Sequence, residues 1–411
     1  MRLGPVALFV VSASVGACSK CGDSPSVPAP VASASASASA SASASASPSA
    51  SASASASASP SSDCRLLSAP SEQPFRGPAA MRISGSQLEL VANDMGKPRV
   101  FTVPLTPPPP AGAPPVTLPK PSSFFAMRWP PCEIAGKWAY CQAPGGAVHR
   151  TTIGANDTRE ITKSRSGTRI AAAALGADHA VVATLESRRT SEGEMLKAFV
   201  TLDEGETQLL SDDGAGATTV RLVARGDHVV AAYLDTRTAM VPVHARPLTV
   251  SPKGLVIGSD AVVFVAGSPE RGVDFSLAGT KKELFLLLPI GKESTEFGMA
   301  AIPIADPPKE DVKATWSIYP NGLDPAPLAA TLPPSDGPIW VARLRPLEAM
   351  PGALRVLELG RLDASGVFAS RGVIVTGKRI TDVSVIADSY GAVWIQYGDP
   401  SATFLERRVC P

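Results

Sequence analysis

Three polar segments interrupt an otherwise apolar, turn-rich chain, and they hold the side chains best suited to grip a polar molecule. They are LDTR (234–237), PERGVDF (269–275) and YPNGLDPAP (319–327), which carry Asp235, Arg237, Arg271, Asp274, Tyr319, Asn321 and Asp324. Carboxylates accept hydrogen bonds, guanidinium groups hold anions in a planar fork, and a Tyr ring adds an apolar platform. The same Asp, Asn, Gly and Pro residues are also ordinary turn formers. Two Asp-His pairs, in GADHAVVA (176–183) and RGDHVVAA (225–232), pose the question of a metal. Turn chemistry accounts for both, because each lies between a glycine and an apolar run with no ligand set at a usable spacing. Arg225, Gly226 and Asp227 also spell an adhesion tripeptide, which this repeated turn explains as coincidence.

Signatures of catalysis are missing from the sequence. It contains no His-Glu-x-x-His, no Gly-x-Ser-x-Gly elbow, no Gly-x-x-x-x-Gly-Lys phosphate loop and no complete Ca²⁺ loop. The expectation is a non-catalytic binding or scaffold protein without a cofactor, whose partner is an envelope protein or a glycan. The alternative is a glycan-acting hydrolase or lyase, which requires two carboxylates such as Asp235 and Asp324 facing each other across about 5 to 10 Å. Lys and Arg number 38 against 37 Asp and Glu, a net charge of +1, so no broad field draws in nucleic acid.

The elements that position these residues are short β runs. Asp178 and Asp227 begin similar turn-strand units, and matching strand starts fall at Gln87, Lys137, His179, His228, Glu283, Ile339 and Ala392. Seven units of roughly 50 residues each provide enough chain for four-stranded antiparallel blades, which predicts an all-β, seven-bladed β-propeller over 64–411. Six blades follow if the hairpin at Lys137 is an insertion. In the last unit Asp388, Gly391 and Trp394 resemble the D-x-x-G-x-x-W hairpin of several propeller-repeat families, in which Trp packs between blades. Phe75, Arg76 and Pro78 resemble the F-R-x-P of sialidase propellers, where the Arg binds a substrate carboxylate, and Ser211, Asp213 and Gly216 resemble a broken Asp-box. On a propeller the three polar segments fall on one face of blades four to six, which predicts a shared site at the mouth of the axial channel.

Cysteines give an independent reading. Cys64 opens the globular region and Cys410 is the penultimate residue, so 65–68 is expected to run antiparallel to 403–409, with a Cys64–Cys410 bond closing the ring. Cys132 and Cys141 are expected to bond across a hairpin. Pro104 to Pro121 cannot form a central strand, because proline lacks a donor, and reads as an extended surface loop.

At the N-terminus, MRLGPVALFVVSASVGAC has one Arg and an apolar run too short to span a bilayer, a secretory signal over 1–17. Val15, Gly16, Ala17 and Cys18 resemble the lipobox of bacterial lipoproteins, which implies lipidation at Cys18 and a membrane association through that anchor alone. Cleavage after Ala17 without lipidation is the alternative, leaving Cys18 to bond Cys21. Residues 18–63 read as a tether in which Ala32 to Pro60 is an almost pure Ser-Ala alternation that buries too little apolar area to offset the entropy of ordering. The Ala32 to Pro60 stretch has a reach of about 30 Å and resembles the stalks of surface lipoproteins in Gram-negative bacteria. It implies an exported protein of the cell envelope, carried as an outer-membrane lipoprotein. Mass spectrometry of the native N-terminal peptide should find a lipid-modified Cys18; an unmodified Cys18 amine refutes the anchor.

Overall fold

The structure is a computed structural model. It describes residues 64–118, 130–191, 193–212, 214–237, 240–267, 275–280, 282–292, 296–309, 315–318, 328–330, 337–346 and 354–410. Every described residue belongs to the second of two units, Ala58–Pro411. Cys18 and the tether lie outside the described residues.

Seven small antiparallel sheets follow one another along the chain. Blade one is Ala80–Ser84, Gln87–Asp94 and Lys97–Pro104; blade two is Glu133–Ala135, Trp138–Gln142, Ala147–Thr152 and Arg159–Lys163. Blade three is Ala171–Leu175, His179–Thr190, Gly193–Leu202 and Thr207–Leu209. In blade four, Ala217–Arg225, His228–Asp235 and Met240–Ser251 are followed by an outer strand broken into Gly254–Ile257 and Ala261–Gly267. Blade five is Ser276–Gly279, Leu284–Lys292, Glu296–Pro303 and Thr315–Ile318; blade six is Leu328–Ala330, Ile339–Pro346, Arg355–Leu362 and Phe368–Lys378. Blade seven combines Asp382–Ala387, Ala392–Gly398 and Thr403–Val409 with the first strand of the domain, Arg65–Glu72.

The expected second-strand starts are met to within one residue, at Gln87, Trp138, His179, His228, Leu284, Ile339 and Ala392. The hairpin at Lys137 is the centre of blade two, so the ring has seven blades rather than six. Second strands stand out because they are covered on both faces: Trp138–Gln142 and Ala392–Gly398 are buried throughout. The inner strand Ala171–Leu175 alternates instead, and the outer strand Phe368–Lys378 is largely uncovered. Apolar side chains between blades form seven clusters among the described residues, each joining consecutive blades. The cluster of Leu88, Leu90, Trp394 and Leu405 joins blade seven to blade one, which makes the ring continuous.

Closure follows the expected pairing. Arg65 lies opposite Val409 and Glu72 opposite Phe404, and Cys64 is bonded to Cys410 beside the start of this ladder. A second disulfide joins Cys132 and Cys141 across the first hairpin of blade two. The proline-rich segment does more than form a surface loop. Val116 bridges Ser68 in parallel, its N–H bonding Leu67 O at 2.8 Å, while Arg65 donates to the carbonyls of Pro109 and Pro110. It is a strap lying along the outer edge of blade seven.

Asp388 fixes the inner hairpin of that blade. Its Oδ1 accepts the Tyr390 and Ala392 N–H groups at 2.9 and 3.0 Å, and its Oδ2 accepts Trp394 Nε1 at 3.1 Å and Arg407 Nε at 2.9 Å. Gly391, at φ 74°, supplies the left-handed turn. Arg407 continues to Thr106 O at 2.7 Å, so one buried ion pair connects turn, Trp and strap. Asp388→Ala leaves the Arg407 charge buried without its carboxylate and should lower unfolding stability by about 3 to 5 kcal/mol, measurable by urea denaturation. A loss below about 1 kcal/mol would contradict this role.

Candidate functional site

The loops from second to third strands and the links from one blade to the next open on one face of the ring. The expected ligand residues were assigned to that face. Asp235 ends the second strand of blade four and is 2% exposed. Its Oδ1 accepts the N–H groups of Gly216 at 2.9 Å and Arg237 at 3.1 Å, and its Oδ2 meets Arg237 Nη2 at 3.1 Å. Burial pushes the Asp235 carboxyl up, but the hydrogen bonds from Arg237 and Gly216 outweigh it and hold the group below the usual carboxylate range. The Arg237 side chain lies over the link from blade three to blade four, where a Cβ at Gly214 would fall 2.5 Å from its Nη1. A side chain there would push the far end of Arg237 aside. Ser211, Asp212 and Gly214 to Gly216 thus belong to the link between blades three and four, while Asp213 lies outside the described residues.

Asp235 and Arg237 are therefore brought together, each holding the other. Arg271, Asp274, Tyr319, Asn321 and Asp324 lie outside the described residues. Arg76 is exposed on the link into blade one, behind a buried Phe75 that packs against Phe101 with ring centroids 5.3 Å apart. His179 pairs with Asp203 at 2.7 Å on its own blade, and His228 lies 3.1 Å from Asp227 and 3.1 Å from Asp306 of blade five. Arg225 is 9% exposed and bonds Lys282 O, so the Arg of the RGD tripeptide is packed away while Asp227 is exposed.

Sequence reasoning missed two groups around the same link. Beneath it, Lys197 is 4% exposed and its Nζ donates to Ala215 O at 2.8 Å. Beside it, Arg246 bridges Asp212 and Asp260, its Nε lying 2.9 Å from Asp260 Oδ1. Asp260 also binds His244 Nδ1 at 2.5 Å and the Tyr233 hydroxyl at 3.3 Å, and Tyr233 stacks on His244 with centroids 4.8 Å apart. Tyr233 and His244 are direct cross-strand partners. Asp260 reaches them because the outer strand breaks between Ile257 and Ala261. Burial pushes the Tyr233 phenol upward, whereas for Asp260 burial is outweighed by hydrogen bonds from His244 and Arg246 that lower its carboxyl.

The second missed group is a groove. Blade three's central hairpin runs on past its inner strand, whose pairing ends at Ala171 opposite Ala183, and stays paired as far as Thr190 opposite Gly193. Along it lies a groove of about 410 Å³ lined by Arg188, Arg189, Thr190, Lys197, Phe199 and Leu209. The Arg188 guanidinium stands 4.8 Å from the Phe199 ring centroid and pairs with Glu186 at 2.9 Å. Arg188 and Arg189 near the Phe199 ring suit an anion that carries an apolar surface, while the Lys197 ammonium is held by Ala215 O. The signal in the sequence was the pair Arg188–Arg189 followed by Lys197, spaced for a two-stranded projection but reading as a polar turn.

No protein-family model matches this chain, and no curated protein matches it. Among solved structures it is similar to Trypanosoma rangeli sialidase in complex with 2,3-difluorosialic acid, at 10% identity and a TM-score of 0.42, covering 83% of this chain and 59% of that one. It is similar to a neuraminidase-like protein of A/little yellow-shouldered bat/Guatemala, at 11% identity and a TM-score of 0.40, covering 68% of this chain and 93% of that chain. A mutant of AofleA from Arthrobotrys oligospora aligns at 14% identity and a TM-score of 0.39, over 77% of this chain and 89% of that chain. This chain spans less than two thirds of the sialidase, and these likenesses say nothing of the site.

A carboxyl held low in the fold contributes stability that is fully present above its unfolded value of about 3.9 and lost as pH falls through the lower folded value. Asp260→Asn should therefore melt below the native protein at pH 7, with the gap closing as pH drops below about 4. A gap that stays constant down to pH 2 would show that Asp260 contributes nothing through its charge.

Proposed function

We propose that this protein is a non-catalytic, envelope-anchored binding propeller whose ligand is an anionic glycan. The observation that carries this reading is the groove on the projecting hairpin of blade three, lined by Arg188, Arg189, Lys197 and Phe199. The carboxylates nearby support binding over hydrolysis. Asp235 is occupied by Gly216 and Arg237, and Asp260 by His244, Arg246 and Tyr233, which leaves neither presented as the acid or base of a glycosidase. In this proposal Asp235 and Arg237 shape the rim, and Arg271, Asp274, Tyr319, Asn321 and Asp324 extend it around blades five and six.

The two disulfides suit an exported protein. Lipid at Cys18 and the tether over 18–63 then hold the propeller near the envelope surface while letting it reach ligands about 30 Å away. Alginate, a polyuronate, is a suitable probe. Calorimetry should show binding that weakens at least tenfold in the Arg188→Ala, Arg189→Ala double variant and that falls with added salt, as expected for exposed charges. Undiminished binding by the double variant refutes the groove, and release of new reducing ends from alginate would establish the hydrolytic alternative instead.

A further inference from the structure

A group of arginines lies on the opposite face, around the closing disulfide. In blade six Arg361 is next to last in the third strand, and Arg371 bulges from the fourth strand between the pairs Leu359–Gly372 and Gly360–Ser370. The Arg361 guanidinium stacks 4.4 Å from the buried Trp340 ring, and its Nη2 donates to Cys410 O at 3.2 Å. Arg371 is tied to the same place through its carbonyl, which accepts the Cys64 N–H at 3.1 Å. A third guanidinium, Arg408, sits beside them and donates to Cys64 O at 3.4 Å.

The acids nearby are already used. Glu406 accepts Arg408 Nε at 2.6 Å and the Tyr397 hydroxyl at 3.5 Å. Among the described residues no carboxylate pairs with Arg361 or Arg371, and the Nε atoms of both are buried without an acceptor. Buried donors are almost always satisfied, and like charges are rarely left side by side, so among the described residues this arrangement lacks a negatively charged component. Burial and the charge of Arg371 hold the Arg361 guanidinium below its ordinary range, in keeping with two cations in proximity. The chain's near-zero net charge supplies no general reason for an anion to gather here, so any such binding is local.

We propose that Arg361 and Arg371 form a binding site for a small oxyanion, with Trp340 as a rigid backing that holds the Arg361 fork in place. Guanidinium groups match phosphate, sulfate or a carboxylate through parallel N–H donors. The site lies on the other face from the groove of blade three and is independent of it. An anion here would neutralise the repulsion beside the Cys64–Cys410 bond and tie blade six to blade seven.

Inorganic phosphate is the probe, titrated calorimetrically into the full chain at constant ionic strength with chloride as the reference. Phosphate should bind, sulfate should compete, and Arg371→Met should weaken binding at least tenfold, while the Arg188→Ala, Arg189→Ala variant binds phosphate as the native protein does. In chloride Arg371→Met should melt at or above the native temperature, since it removes a like-charged neighbour; the general stabilisation by kosmotropic salts persists in both proteins. Failure of the native protein to bind phosphate overturns the proposal, as does unchanged affinity in Arg371→Met. Melting of that variant well below the native protein in chloride would make Arg371 a structural residue and overturn it as well.

Discussion

The structure depends on one antiparallel ladder, in which Arg65–Glu72 pairs with Thr403–Val409. No blade of this ring buries its own faces; each is covered only by the blades on either side, as the seven interblade clusters make plain. A ring left open would expose one face of blade one and one of blade seven, including Trp394 and Leu88. Closing it brings together residues 346 positions apart, and the chain entropy of that closure is what the Cys64–Cys410 bond removes from the unfolded state. On the chain-entropy model the bond contributes up to about 5 kcal/mol. The closing ladder thus sets the radius of the ring, and the ring sets the positions of every rim residue.

Closure by an outer strand creates a problem that the proline-rich strap answers. Arg65–Glu72 is the last strand of its sheet, and an edge strand offers free backbone groups to other chains. The segment after blade one crosses to cover it, with Val116 pairing between Leu67 and Ala69 and the carbonyls of Thr106, Pro109 and Pro110 taking up Arg407 and Arg65. Proline has no N–H, so such a cover cannot become a new edge that propagates the sheet. Among the described residues blade one has three strands, and the chain that follows them protects blade seven.

The fold was legible where burial is two-sided. Strands such as Ala392–Gly398 lie within a sheet and between two blades, so their apolar runs are continuous and their starts could be read directly. Glycine turns announced them, as at Gly176 and Gly226, both in the left-handed region. Asp388 and Trp394 were legible because one hairpin contains both. The polar groups that meet around the link from blade three to blade four were not, since their encounter depends on register and on a broken strand. His244 finds Tyr233 by cross-strand pairing, and Asp260 joins them only because the outer strand stops before it. Arg361 and Arg371 are equally hidden, because a bulge decides where Arg371 emerges. Asp235 and Arg237 were singled out as candidate ligand groups, but a sequence does not reveal that each is the other's partner.

Charge in this molecule is informative by its local balance. The chain is almost neutral, and most of its buried ions are matched one to one, as Arg343 is by Glu358 and Arg407 by Asp388. A ring of this kind has a stiff interior, where an unmatched ion is costly, and a margin where it is not. The hairpin of blade three carries Arg188 and Arg189 past the support of its inner strand. Such segments open at the low end of the free-energy scale while the ring behind them stays fixed. Lys197 crosses that boundary, its ammonium anchored to Ala215 O beneath the rigid link while it lines the groove. The groove therefore joins an adaptable wall bearing two arginines to a fixed floor bearing one lysine. That division lets a ligand's charges be met by movement of the hairpin without any change in the ring.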